Sequence, residues 1–297
     1  MSRTIVFFGS GPVAAESLAL LHNDFEIEAV ITKPQPKHHK EPFPVIALAN
    51  KLNLNIFTAN SQKELSNLFD MNVFQSEVGV IIDHGIIIEQ KVIDSFKFGI
   101  INSHFSLLPR WRGADPISFS ILSGDKETGV SIMVIVDKLD EGALLKQQPI
   151  NIDRTITTPE LTNILIQLSH DLLTETVPLY LEDKLNPCPQ STENVSYSHK
   201  LTKKDGILDW NKSADQLERE VRAYIGWPRS RASISNYEVV VTKAHAVQEN
   251  GKTGTLSMDD NELGVFCNPG LLMIDNLIPS GKKEMSSQAF LNGYKII

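Results

Sequence analysis

Residues 3–14 read Arg3-Thr4-Ile5-Val6-Phe7-Phe8-Gly9-Ser10-Gly11-Pro12-Val13-Ala14. A short apolar run stops at two glycines and then meets proline, the residue suited to the first turn of a helix. The reading is a strand at Ile5–Phe8, a tight turn, and a helix from about Pro12 to Leu21. The alternation continues with a strand at Glu28–Ile31 and a helix at Pro44–Leu52. A strand at Val78–Ile82, a helical stretch around Glu89–Asp94 and a strand at 98–101 follow. Apolar strands alternating with helical segments define an α/β fold, a mostly parallel sheet covered by helices. Gly9-Ser10-Gly11-Pro12-Val13-Ala14 also fits the loose dinucleotide fingerprint, but that motif needs an acid at the end of the second strand. Here the strand runs out as Val30-Ile31-Thr32-Lys33, so no nicotinamide cofactor is expected.

The run Phe98-Gly99-Ile100-Ile101 is expected to deliver Asn102 and His104 at its C-terminal end. Two residues apart on an extended chain, these side chains share a face. An amide beside an imidazole supplies a neutral donor for a developing oxyanion and a proton acceptor suited to neutral pH. A second strand is expected over 130–136, and two acids follow it, Asp137 and Asp140. Either carboxylate would serve to orient the imidazole and stabilise its protonated form. An isolated Asn-x-His is more often a turn cap and a packed histidine. These residues gain weight only from the longer string around them.

Length and composition are consistent with one large and one small domain, because 297 residues lie at the size where a single core stops growing. No apolar run is long enough to span a membrane, and the N-terminus enters a strand pattern directly, so a cytoplasmic protein is expected. Cys188 and Cys267 lie far apart without ligand spacing and are expected to be inert thiols. The net charge of −8 argues against a broad nucleic-acid surface. Residues 1–206 hold 18 Lys and Arg against 25 Asp and Glu, whereas residues 207–297 hold 10 against 11, so any polyanion footprint must be local. Thr158-Pro159 reads as a helix start, and the apolar spacing to about Leu181 follows a helical period. Asp183–Ser198, with Pro187 and Pro189, reads as linker. A short helix at Ala214–Tyr224 and short β runs at Val239–Thr242, Gly264–Cys267 and Leu271–Ile274 suggest a small β-barrel.

Several strings are similar to one family. Asn102-Ser103-His104-Phe105-Ser106-Leu107-Leu108-Pro109-Arg110-Trp111-Arg112-Gly113, Gly124-Asp125, Glu127-Thr128-Gly129-Val130 and Leu139-Asp140-Glu141-Gly142 resemble the folate-dependent formyltransferases. They look most like the members acting on methionyl-tRNA. The opening strand and loop, the linker string Tyr197 to Lys204, Arg222 to Pro228, and Pro279 to Met285 extend the likeness over almost the whole chain. The resemblance implies a Rossmann-like catalytic domain over 1–182, a linker over 183–204, and an OB-like barrel over 205–297 that helps hold tRNA. It implies transfer of formyl from 10-formyltetrahydrofolate, a consumed cosubstrate, to methionyl initiator tRNA by a monomer, with neither metal nor membrane required.

Within that frame Asn102, with His104, would stabilise the oxyanion. His104 would shuttle the proton, and Asp140, preferred to Asp137 for its place in Leu-Asp-x-Gly, would hold the ring. Ser106, Leu107, Leu108 and Pro109 would cradle the folate. Lys37 and Lys40, in a proline-rich loop over 33–42, and Lys203, Lys204, Arg222, Lys282 and Lys283 would touch tRNA. The pair Asp83-His84 stands where the family has a small residue and an aromatic. It would either alter how the pterin edge is held or face elsewhere. Asp115, where alanine is usual, adds a negative charge with no sequence-level account. Three rivals share the motifs: a formyltransferase acting on a small amine, a hydrolase of the formyl donor, and a non-catalytic binding module that keeps the fold.

Overall fold

The structure, a computed structural model, describes residues 4–35, 43–258 and 262–296. Lys37 and Lys40 lie outside these residues. By Cα proximity the chain forms two compact units. The first comprises Met1–Gly113, Thr128–Ile150 and Thr162–Tyr197, and the second Ala114–Glu127, Asn151–Leu161 and Ser198–Ile297.

The first unit is built on a seven-stranded sheet. Its strands lie in the order Ile56–Thr58, Glu26–Thr32, Thr4–Phe8, Gly79–Ile81, Ile100–His104, Glu127–Val134 and Leu144–Asn151. The first five pair in parallel, and Glu127–Val134 runs antiparallel to Ile100–His104. Ile5, Val6, Phe7 and Phe8 are all fully buried, which is why the first strand reads as an unbroken apolar run. One sheet face packs Val6, Phe8, Ala29 and Ile31 against Leu65, Val92 and Phe96. The helix Pro12–Leu21 begins on its proline, as the sequence predicts.

The strand expected at 98–101 lies at Ile100–His104, so Asn102 and His104 sit within it. Gly99, at φ +68°, makes a turn that no strand accommodates, and pairing starts only after it. Elements beyond those expected include the three-residue strand Ile56–Thr58 and the polar strand Leu144–Asn151, which carry little pattern, and the helices Gln62–Met71 and Pro116–Ser123, whose starts are marked by the Ser61 cap and by Pro116.

The second unit holds a curled antiparallel sheet, OB-like, in the order Ser230–Ile234, Tyr237–Val247, Leu271–Pro279, Leu263–Phe266 and Leu256–Ser257. Met285–Ser286 adds to Leu271–Pro279. The helix Ala214–Ala223 is capped by the Ser213 hydroxyl, which accepts from the Gln216 amide, and it buries Leu217 and Val221 in a core with Leu272, Ile274 and Phe290. Asp115 finds its account here. It sits at φ +56° before Pro116–Ser123, a conformation aspartate tolerates, and its carboxylate accepts the Leu201 amide at 2.8 Å.

Candidate active site

Asn102 and His104 alternate with Ser103 along the fifth strand. Ser103 turns to the other face and bonds the Ser169 hydroxyl at 2.6 Å. Asp140 arrives from the turn after Glu127–Val134, the antiparallel neighbour of the same strand. That turn passes so close to its own strand that a Cβ on Gly142 would collide with the Val134 carbonyl. The glycine of Leu-Asp-x-Gly is thus a steric requirement.

The structure brings Asn102, His104 and Asp140 together. His104 is 6% exposed, and its Nδ1 lies 3.7 Å from Asp140 Oδ2, whose side chain is 10% exposed. Asn102 Nδ2 lies 3.5 Å from Asp140 Oδ1, at the outer limit of a hydrogen bond, so this amide is only weakly committed. Asp137 is solvent-exposed. Two partners were invisible in the sequence because both are backbone groups. His104 Nε2 lies 2.9 Å from the Trp111 carbonyl, which accepts only if that nitrogen carries hydrogen. The Gly113 amide donates to Asp140 Oδ2 at 2.7 Å. In the neutral ring Nδ1 is then the basic nitrogen. A proton taken up there gives an imidazolium that is held at Nε2 by the Trp111 carbonyl and has the Asp140 carboxylate 3.7 Å from Nδ1, near enough to stabilise the charge.

The segment expected to cradle folate is divided. Ser106 is fully buried, donating its hydroxyl to the Arg110 carbonyl at 2.6 Å. Leu108 is 3% exposed, and its amide and carbonyl meet Ser131 and Gln147. These two residues shape the turn from inside, while Leu107 and Pro109 retain exposed surface.

At the C-terminal edge of the sheet, strand order reverses between Thr4–Phe8 and Gly79–Ile81, the place where open α/β sheets hold ligands. The Ser10 amide donates to the Asp83 carbonyl, and a Cβ on Gly11 would run into the Asp83 carboxylate. His84 faces inward. It is 3% exposed, edge-on to Phe8 with ring centres 5.7 Å apart, and neither ring nitrogen has a hydrogen-bond partner among the described residues. Burial, with the charge of Lys33 in second place, pushes its pKa down to about 4, so the ring is neutral.

Of the basic residues, Lys203, Lys204, Lys282 and Lys283 are exposed. Arg222 is engaged within its own unit, bonding both carboxylate oxygens of Glu218 and the Ile156 carbonyl. Among the described residues no three His, Cys, Asp or Glu side chains gather as metal ligands would, and no helix is long and apolar enough to cross a membrane.

An open α/β sheet carrying an amide, an imidazole and a carboxylate beside its switch point, followed by an OB-like unit, defines a class of group-transfer enzyme. Residues 3–177 match the family described as formyl transferase and residues 200–295 match the formyl transferase C-terminal domain; the chain belongs to the formyl transferase family. Methionyl-tRNA formyltransferase of Paramagnetospirillum magneticum is 33% identical over 299 residues, covering 98% of this chain and 97% of that one. The protein of the same name from Pseudoalteromonas translucida is also 33% identical, over 97% and 93% of the two chains. Among solved structures, an N-formyltransferase from Helicobacter canadensis in complex with folinic acid and dTDP-3-aminofucose superposes with a TM-score of 0.69. It shares 17% identity over 92% of this chain and 99% of that one.

Proposed function

We propose that this enzyme transfers the formyl group of 10-formyltetrahydrofolate to the α-amine of methionyl initiator tRNA, as a cytoplasmic monomer. The observation that carries the reading is the convergence of Asn102, His104 and Asp140 in a chain similar from end to end, OB-like unit included, to methionyl-tRNA formyltransferases. The amine attacks the formyl carbon, and the carbonyl electrons move onto oxygen. Asn102 Nδ2 donates to that oxyanion, a contact whose loss typically costs about 3 kcal/mol in the barrier. His104 Nδ1 takes the proton from the attacking nitrogen and returns it to N10 of the folate as the C–N10 bond breaks. Tetrahydrofolate and formyl-methionyl-tRNA leave. Asp140 holds the ring and its transient charge, while Leu107 and Pro109 face the folate over the turn shaped by Ser106 and Leu108. Residues 1–182 perform the transfer, 183–204 connect, and 205–297 grip tRNA, with Lys203 and Lys204 at the end of the linker and Lys282 and Lys283 in the C-terminal domain among the exposed cations that meet it. Lys37 and Lys40 would add to that grip from the N-terminal domain.

The test is formyl transfer by purified protein supplied with 10-formyltetrahydrofolate and methionyl initiator tRNA. Wild type forms product, and His104→Ala, still folded, loses at least about a hundredfold in rate. Near wild-type turnover by His104→Ala would overturn the role of the base. Product only from an amino-sugar nucleotide would overturn the acceptor.

A further inference from the structure

We propose that Gln190 is a positioning residue for this reaction. It lies in the polar segment that the sequence marks as mere linker, and it clamps the turn that carries Asp140. The proposal rests on the functional reading above. Gln190 Nε2 donates to the carbonyls of Asp140 and Gly142, both at 2.8 Å, one on each side of Glu141. Its Oε1 accepts from Arg112 Nη2 at 2.8 Å and from Nε at 3.3 Å. The opposite amide orientation would set an oxygen against two carbonyls and an NH2 against a guanidinium, so the network itself fixes the orientation. Arg112, 8% exposed, closes the clamp by reaching Glu141 through Nη1 at 3.2 Å.

Asp140 requires such support. It sits at φ +52°, a left-handed conformation that aspartate tolerates at some cost in backbone energy, so contacts with the surrounding chain help to hold the turn. Its Oδ2 must stay near both the Gly113 amide and His104 Nδ1. The Gln190 segment is itself anchored on both sides. Cys188 exchanges both backbone bonds with Leu144, and the Ser196 carbonyl and hydroxyl accept from the amides of Arg112 and Trp111. The same segment therefore braces the Trp111 carbonyl that holds the other ring nitrogen. An isolated polar surface glutamine would have none of these partners. Reacting groups misplaced by about 1 Å can cost a hundredfold in rate, which is the scale on which a loosened clamp acts.

Gln190→Glu keeps the size and the Arg112 contact but cannot donate to the two carbonyls. Gln190→Met removes the amide without adding charge and serves if the glutamate variant unfolds. The expected result is a kcat lower by about ten- to a hundredfold, with KM for the folate donor within about twofold of wild type. In an Asp140→Asn background the Gln190 change costs nothing further, because it acts through Asp140. Ring nitrogen signals of His104, assigned in 15N-histidine spectra by their loss in His104→Ala, shift with Gln190→Glu toward their positions in Asp140→Asn. Unchanged kcat, a loss that multiplies with that of Asp140→Asn, or unmoved His104 signals would each overturn the proposal. If wild type formylates no methionyl-tRNA, the functional reading fails, and the His104 signals alone decide whether Gln190 holds the site.

Discussion

His84 makes the stability of the first unit depend on pH in a way that one substitution should abolish. The folded ring titrates at about 4, whereas an unfolded histidine titrates near 6.5. The native state therefore binds fewer protons than the unfolded chain between these values, and stability falls as pH falls through that window. Worked through the two constants, wild type loses about 2 kcal/mol between pH 7 and pH 5 and about 3 kcal/mol by pH 4 from this group alone. Above pH 7 the contribution is constant. The comparison is His84→Leu, of similar volume and without a titrating group, which also removes two ring nitrogens that lack partners among the described residues. At pH 7 that removal should stabilise by about 1–2 kcal/mol. Urea unfolding would be followed by Trp111 fluorescence, with Trp210 and Trp227 replaced by phenylalanine so that the signal belongs to the unit holding His84. Carboxylates lower the stability of both proteins in acid, so the informative quantity is the difference between them. A gap that fails to widen from pH 7 to pH 5 would refute the reasoning, because it would mean that the imidazole takes its proton without unfolding.

Three further outcomes follow from single contacts. Gly142→Ala should lose at least about 2 kcal/mol in urea unfolding together with most activity, since its Cβ meets the Val134 carbonyl; an unperturbed alanine variant would contradict that packing. Asp115→Ala should lower the unfolding free energy of the second unit by about 1–2 kcal/mol, through the orphaned Leu201 amide and the left-handed backbone, and Asp115→Gly should recover the backbone part. Replacing both Lys282 and Lys283 by alanine should weaken tRNA binding and reduce the slope of log affinity against log salt by about 2; an unchanged slope would make them bystanders.

Much of the architecture was legible in the chain because it rests on short-range rules. The helix from Pro12 is set by a proline that fits the first turn, and the long helix from Thr158 by the apolar spacing that follows its cap. The buried parallel strands announce themselves as unbroken apolar runs. Ile56–Thr58 is too short for any period to be visible, and Leu144–Asn151 hides behind Lys146, Gln147 and Gln148. The site was half legible for the same kind of reason. The spacing of two on a strand puts Asn102 and His104 on one face, but only the likeness of the longer string to the formyl transferase family singles them out.

By itself, then, the sequence determined the α/β class and the two-part plan, since residue type and periodicity act over a few neighbours, and its likeness to the family nominated the candidate site residues. The Leu-Asp-x-Gly likeness already favoured Asp140 over Asp137, and only the tertiary structure showed how Asp140 comes beside the imidazole and the Asn102 amide, 38 residues earlier in the chain. It alone showed that the Trp111 carbonyl and Gly113 amide complete the site, that His84 turns into the core, and that Gln190 grips the Asp140 turn. Each of these depends on backbone groups or on contacts between distant segments. Such contacts form only when the sheet places its strands side by side, and no local pattern encodes them.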